Sequence, residues 1–318
     1  MTTIEKLNAP WEPPQLPSEI PHGDMPGDHI SIYPDHVRKA ETLFRALRPM
    51  LASQLSQSAH GRVVISVCGG SGAGKTGIAS VLAYFLRAMG IGTYLLSGDN
   101  YPRRIPQDND QERIRVFRVA GLRGLLAEDQ YTPERMAELR KAWEAENDAD
   151  PQQAVERPWM KTYQQAGRKA LAQYLGTPGE TDFDEVNQLL ASFKQGQNLV
   201  YLKRMGRQFD ELWYDPVDMT GIEVLLLEWT HGNSEYLFGV DLPILLNSTP
   251  AQTLAHRMAR NRDGKIDSPF VAMVLDIEQQ KLDHQAHKAK LILSREGELL
   301  DYAVYRSLSI DASERGTR

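Results

Sequence analysis

Within the stretch GGSGAGKT, Gly69, Gly74, Lys75 and Thr76 keep the spacing G-x-x-x-x-G-K-[ST]. Each residue type has a physical reason to be there. Glycines let Gly69, Gly70, Ser71, Gly72, Ala73 and Gly74 form a loop tight enough to aim several backbone N–H groups at one anion. A helix starting at the loop adds its positive N-terminal end. Lys75 supplies a full charge within reach of β and γ phosphates, and the Thr76 hydroxyl a ligand for Mg²⁺. The chemistry implied is capture of a nucleoside triphosphate, ATP or GTP. The competing explanation is a glycine-rich turn that matches by chance.

The flanking elements decide between the two. Arg62 to Cys68 is a short β-branched run with the composition of a buried strand. Beyond the loop, Ile78, Leu82, Phe85 and Met89 recur at helical intervals and Gly90 supplies a stop. Strand, loop, helix is the order a phosphate cradle requires. Cys68, just before the loop, reads as a small core residue and not as a nucleophile. Gly92 to Leu96 predicts a second, parallel strand ending at Ser97-Gly98-Asp99-Asn100.

Upstream, residues 9–34 hold seven prolines, which predicts an extended arm. His22, His29 and His36 recur every seven residues there, but the prolines deny them a common face and a metal site is not expected. Val37, Leu43, Phe44, Leu47, Leu51 and Leu55 predict a helix from Pro34 to about Gln57, interrupted near Pro49. From Ile105 to Leu175 the chain is polar and helix-prone, with Thr132 placed to cap and Pro133 at a first helical position. Helix is predicted again over FDEVNQLLASFKQG, then a strand in NLVYLKR, a turn at WYDPVDMTG, and buried strands in IEVLLLEW and LPILLN. Helices over STPAQTLAHRMARNRDG and SPFVAMVLDIEQQKLDHQAHK and a strand in KLILS close the order.

Several residues near these elements could take part in chemistry. Asp99 stands at the end of the second strand, where a carboxylate can orient a hydroxyl and accept its proton; the alternative is an Asx-type turn. Arg103 and Arg104 follow, either to hold an anion or as ordinary surface charge. Glu228 ends an apolar strand and needs a partner, either Mg²⁺ through water or a core ion pair. His231 either meets a substrate or caps a turn. Arg257 and Arg260 share one side of a helix with Arg262 at its end, suited to a lid that stabilises developing charge or to a solvated face. His284 and His287 lack partners at metal-site spacing and read as solvated. Guanine-reading N-K-x-D and the transporter string L-S-G-G-Q are both missing. Asp218-Met219-Thr220-Gly221 matches D-x-x-G but precedes its strand, so a switch GTPase is not indicated.

Taken in order, these segments resemble the uridine kinase and phosphoribulokinase group of P-loop kinases, to which the bacterial pantothenate kinases belong. Asp99-Asn100-Tyr101-Pro102-Arg103 is similar to their D-x-[FY]-x-R stretch, VLLLEWTHG to their strand ending in Glu-Gly, and the TDFDEVNQLL helix, arginine-rich segment and final helix fall in the group's sequence. The likeness covers roughly residues 62–104 and 176–296. Trp229 stands where the group usually has glycine, and the insertion of about seventy residues is long. A second resemblance is to adenylylsulfate kinase, whose D-G-D-N-x-R is similar to Ser97-Gly98-Asp99-Asn100-Tyr101-Pro102-Arg103.

The first resemblance implies a three-layer α/β P-loop NTPase fold with a mainly parallel sheet and a helical insertion. It implies residues 1–60 as a Pro-rich arm and helix, 61–104 and 176–300 as kinase core, 105–175 as insertion and 301–318 as a tail. It also implies transfer of the γ-phosphoryl of ATP, with Mg²⁺, to a hydroxyl of a small-molecule acceptor. Asp99, Lys75, Arg257 and Arg260 would be catalytic, with Arg262 joining the loop residues 69–76 on the nucleotide. Tyr101, Arg103, Arg104, Arg204, Arg207 and His231 would meet the acceptor, and Thr76 and Glu228 the metal, the latter through water. A non-catalytic scaffold, ordered by nucleotide and using the insertion to bind a protein, is the alternative of another class.

Composition agrees with this class. The 318 residues are 41% hydrophobic and 25% charged, as in globular proteins. A net charge of −6 argues against a nucleic-acid partner. One cysteine excludes an internal disulfide, and neither a secretory leader nor a long apolar span is read, so a cytoplasmic protein without a membrane partner is expected. A homo-oligomer is compatible with all of this.

Overall fold

The computed structural model describes residues 1–27, 30–206, 208, 210–249, 252–254 and 268–315. The chain folds as two compact units. One comprises Met1–Tyr101, Asp182–Thr249 and Leu282–Arg318, the other Pro102–Thr181 and Pro250–Lys281.

The strands all belong to the first unit: β1 (Val63–Gly69), β2 (Thr93–Ser97), β3 (Leu199–Met205), β4 (Leu212–Asp218), β5 (Val224–Glu228), β6 (Leu242–Leu246), β7 (Leu291–Leu293) and β8 (Leu299–Leu300). Six form one sheet in the order β2-β5-β1-β6-β7-β8, parallel except for the short β8, while β3 and β4 form a separate antiparallel hairpin. β1 is buried along its length and its side chains alternate between two cores. Val63, Ile65 and Val67 pack with the helices Pro34–Gln57 and Lys75–Ala88 on one face. Val64 shares the opposite face with Leu225, Leu227 and the helix Phe183–Lys194. Helices on both faces explain why the parallel strands read as unbroken apolar runs. This is the three-layer, mainly parallel α/β arrangement expected from the sequence.

Two local expectations are corrected. The helix Pro34–Gln57 runs through Pro49 without interruption. Leu43, Phe44, Leu47, Leu51 and Leu55 are buried on both sides of the proline. Burial of each large side chain is worth roughly 1.5–3 kcal/mol, and together they outweigh the ~3 kcal/mol cost of an interior proline. WYDPVDMTG is not a turn, because Leu212–Asp218 pairs with β3 from Leu199↔Asp218 to Met205↔Leu212. Both strands of a two-stranded ribbon are edges, where a proline such as Pro216 is tolerated. Within residues 301–318, read only as a tail, Tyr302–Arg315 is helical, and the buried Tyr305 donates its hydroxyl to Asp283 at 2.5 Å.

The second unit is helical among its described residues, with Pro106–Ala127, Pro133–Glu144, Pro151–Glu156 and Met160–Tyr174 enclosing Phe117, Leu125, Leu139, Met160 and Tyr163. Thr132 caps as expected, accepting from the Arg135 N–H at 3.2 Å. Buried Glu180 is satisfied by Arg113 Nε at 2.6 Å, Asn109 Nδ2 at 3.2 Å and the Gly176 N–H at 2.6 Å.

Arg62 fixes the start of β1. It is 6% exposed and donates to the carbonyls of Phe193 (3.0 Å), Gln197 (2.7 Å) and Met219 (3.0 Å) and to Asn198 Oδ1 (2.7 Å). The end of the helix Phe183–Lys194 supplies negative carbonyl ends to this cation in place of a carboxylate. Arg62→Met should strip this donor from all four acceptors, of which only the Phe193 and Met219 carbonyls keep a backbone N–H, from Gly196 and Ile222, and lower stability by about 2–4 kcal/mol, read from urea unfolding of the intact chain.

Candidate functional site

β1 ends at Gly69, the loop follows, and the helix Lys75–Ala88 begins at once. Gly74 adopts φ +85, and a Cβ there would also lie 3.1 Å from Nε2 of His36. A side chain at this position would be strained by the backbone and crowded by the imidazole. The Ala73 N–H closes the loop on the Gly70 carbonyl at 3.2 Å, and Lys75 Nζ crosses it to the same carbonyl at 3.1 Å. The first N–H groups of a helix have no intrahelical acceptor, which suits this end of Lys75–Ala88 to an anion.

Three parallel strands bring their carboxyl ends to the same place. Glu228 pairs in register with Val67 of β1 and Ser97 of β2. Its carboxylate is 4% exposed and accepts from Thr76 Oγ1 and Ser97 Oγ, each at 3.0 Å. Burial, and after it the nearby Asp99 carboxylate, hold the Glu228 carboxyl up at about 7 against the opposing pull of Lys75 and the two hydroxyls. Asp99, Lys75, Thr76 and Glu228 thus share one electrostatic environment. Such an arrangement at a sheet's carboxyl edge is where open α/β folds bind ligands.

Gly98, Asp99 and Asn100 form a single 3₁₀ turn after β2, closed by the Tyr101 N–H on the Gly98 carbonyl at 3.1 Å. Ser97, Gly98 and Asn100 are buried, whereas Asp99 is exposed. A Cβ on Gly98 would lie 2.0 Å from Cγ of Trp229, so the indole lies directly on the turn. Trp229 also packs against Phe183 (5.2 Å between ring centres) and His231 (5.3 Å).

The other sequence candidates are distributed differently. Tyr101 is 1% exposed and belongs to the core beneath the turn. Arg204 is buried and bonded to Asp24 and Asp215. Arg103 and Arg104 fall in the second unit, where Arg103 donates to the Pro178 carbonyl and Arg104 to the Tyr174 hydroxyl at 3.0 Å. Arg207, Arg257, Arg260 and Arg262 lie outside the described residues, as does His29. Asp24, Ser97 and Asn100 were not singled out from the sequence, yet Asp24 accepts from the last N–H of β2, Ser97 donates to Glu228 at the end of β5, and Asn100 accepts from the last N–H of β3.

The donor set suits Mg²⁺ and a polyphosphate. Thr76 and Glu228 offer hard oxygens, and Lys75 and the loop N–H groups offer cationic and dipolar partners. Among the described residues no cluster of three or more His, Cys, Asp or Glu could hold a metal by itself. Such a partial set is usual for Mg²⁺, which takes much of its coordination from substrate phosphate and water. No helix among the described residues is long and apolar enough to cross a membrane.

The chain is similar to several known proteins. The family model described as adenylylsulphate kinase matches residues 61–129. Over 244 residues the chain is 39% identical to the bifunctional alpha-galactosidase/sucrose kinase AgaSK of Mediterraneibacter gnavus, covering 77% of this chain and 21% of that protein. The chain therefore spans about a fifth of that relative's length. Among solved structures, a candidate fructose transport system kinase from Silicibacter sp. TM1040 is 16% identical, with 74% of this chain and 93% of that one covered at a TM-score of 0.44. Phosphoribulokinase from Rhodobacter spheroides is 13% identical, with 74% and 71% covered at a TM-score of 0.42. The resemblance to P-loop kinases read from the sequence is borne out by the sequence matches.

The raised Glu228 pKa has a thermodynamic consequence with a definite sign. A carboxyl whose folded pKa lies above its unfolded value near 4.5 favours folding most below that value and loses the contribution as pH rises through about 7. The melting temperature of nucleotide-free protein should therefore fall between about pH 5 and about pH 8 more steeply than that of Glu228→Gln. Parallel thermal melts of the two proteins across this range check it.

Proposed function

We propose that this chain is a kinase that transfers the γ-phosphoryl group of ATP, held with Mg²⁺, to a hydroxyl of a small-molecule acceptor. The observation that carries the reading is the convergence at one sheet edge of Lys75, Thr76, Glu228 and an exposed Asp99. A cradle alone fits any nucleotide hydrolase or switch. A solvent-facing carboxylate beside it adds what an alcohol acceptor needs, an orienting base within the field of the same site.

Each residue then has a role. The loop 69–74 and Lys75 hold the phosphates and offset their charge. Thr76, and Glu228 through water, hold Mg²⁺, which when bound neutralises charge on the phosphates. Asp99 receives the acceptor hydroxyl's proton as its oxygen bonds to phosphorus and the bond to the ADP leaving oxygen breaks. Trp229, packed on Gly98, holds the turn that carries Asp99, and the partly exposed His231 beside it is assigned to the acceptor. Arg257, Arg260 and Arg262, outside the described residues, are assigned by the family resemblance to charge on the transferring group. A cytoplasmic setting, where ATP is abundant, accords with the single cysteine.

The sucrose kinase named among the relatives makes sucrose the first acceptor to test. Adenylylsulfate is the second, because the adenylylsulphate kinase family model reaches from β1 through the Ser97–Asn100 turn. Purified protein should release ADP in the presence of Mg·ATP and one member of a panel holding sucrose, fructose, uridine, ribulose 5-phosphate, pantothenate and adenylylsulfate. Asp99→Asn should lower that kcat roughly 10²- to 10⁴-fold while the Mg·ATP Kd changes less than about threefold. Lys75→Ala should instead weaken nucleotide binding itself. Tight nucleotide binding with no acceptor-dependent turnover, and a stable complex with another protein, would favour the scaffold reading.

A further inference from the structure

β2 is an edge strand, since the sheet order begins β2-β5-β1. An edge presents backbone N–H groups that no neighbouring strand can pair. At the carboxyl end of β2, beside the exposed Asp99, the missing partner comes from the N-terminal arm. Asp24 accepts from the Ser97 N–H at 2.7 Å and from Asn100 Nδ2 at 3.2 Å through Oδ1. Its Oδ2 accepts from Tyr94 Oη at 3.0 Å and Arg204 Nη1 at 2.8 Å. The side chain is 11% exposed, and these four donors occupy the acceptor positions a carboxylate offers.

The bonded groups connect outward. Arg204 continues to Asp215 Oδ2 at 3.1 Å and to the Tyr94 hydroxyl at 3.1 Å, so it joins β3 to β4 and to β2. Asn100 Oδ1 accepts the Met205 N–H at 3.1 Å, which ties the turn to the end of β3. Ser97, whose N–H Asp24 holds, uses its own hydroxyl on Glu228. One arm carboxylate therefore fixes the residue before the Gly98–Asn100 turn, the residue that ends it, and the hairpin against which it rests.

We propose that Asp24 is a positioning residue for the phosphoryl-transfer site, holding the turn that carries Asp99 without itself touching nucleotide or acceptor. The proposal rests on the kinase reading of Asp99. A saturated, buried carboxylate has no lone pair left for a substrate. A neutral amide in its place would point two N–H donors at groups that are themselves donors, so the turn would loosen while the cradle, built from β1 and its own helix, would remain intact. Arg204 and Tyr101, which the family resemblance assigned to the acceptor, belong on this account to the frame behind the turn.

The test uses full-length Asp24→Asn with three readouts: steady-state kinetics, Mg·ATP binding by calorimetry, and hydrogen exchange of peptides covering 95–101 and 69–76. The expected result is a kcat lowered roughly 10- to 100-fold, as misplacement of a reacting group by about 1 Å produces. Acceptor KM and Mg·ATP Kd should stay within about threefold, and exchange should rise in 95–101 but not in 69–76. A raised acceptor KM at unchanged kcat would mean that Asp24 touches substrate, and uniform acceleration of exchange would mean plain destabilisation; either overturns the proposal, as does unchanged kcat with unchanged exchange. Tyr94→Phe, which removes one of the four donors and leaves the carboxylate in place, should lie between the two proteins in both kcat and exchange. If wild-type protein turns over no acceptor, the kinase reading fails and positioning of Asp99 for transfer fails with it, while the exchange pattern still decides whether the clamp exists.

Discussion

A carboxylate taken out of water at the end of β5 constrains everything around the cradle. An unpaired buried charge costs several kcal/mol, so Glu228 can remain there only with donors close by. Thr76 Oγ1 and Ser97 Oγ supply them, one from the helix that follows the loop and one from the neighbouring strand. The pairing draws the first turn of the helix and the end of β2 toward one point. Lys75, one residue earlier, is directed instead across the loop to Gly70. Adjacent residues on a helix project about 100° apart, which sends the two side chains to different partners.

The bulk of Trp229 is accommodated by its neighbour. A side chain at residue 98 would overlap the indole, so the glycine of the Ser97-Gly98-Asp99-Asn100 turn and the tryptophan after β5 fit only as a pair. Phe183, His231 and Tyr236 complete the aromatic group. Most of this group is buried, so its first consequence is rigidity of the turn, and only its outer members are available to shape what approaches Asp99.

The sequence made the cradle legible because its physics is local: glycines at fixed intervals, a lysine, a hydroxyl, a β-branched run before and a helical period after. Glu228 was legible for a related reason, a carboxylate at the end of an apolar strand being conspicuous wherever it occurs. Helix through Pro49 was not, because the packing that overrides the proline comes from residues distant in the chain. Nor was the strand Leu212–Asp218, whose Asp215-Pro216 pair argues for a turn until β3 lies beside it. Asp24 gave no signal at all. It sits among prolines and glycines in an arm without periodicity, and its four partners are separated from it by 70 to 180 residues.

The turn after β2 shows how buried and exposed positions divide the work. Ser97 faces Glu228, Gly98 yields its space to Trp229, and Asn100 bridges Asp24 and Met205. Three of four consecutive residues are thus committed inward, and Asp99 alone is left facing solvent. An ordinary surface turn needs no partners beyond its own polar side chains, such as the Asn100 amide that reaches the Ser97 carbonyl at 3.4 Å. Here the backbone is held by an arm, a strand and a hairpin, and only one carboxyl is presented. A rigid frame around a single exposed acid, beside Lys75 and Glu228, is what a group that must meet an incoming hydroxyl in a fixed orientation requires.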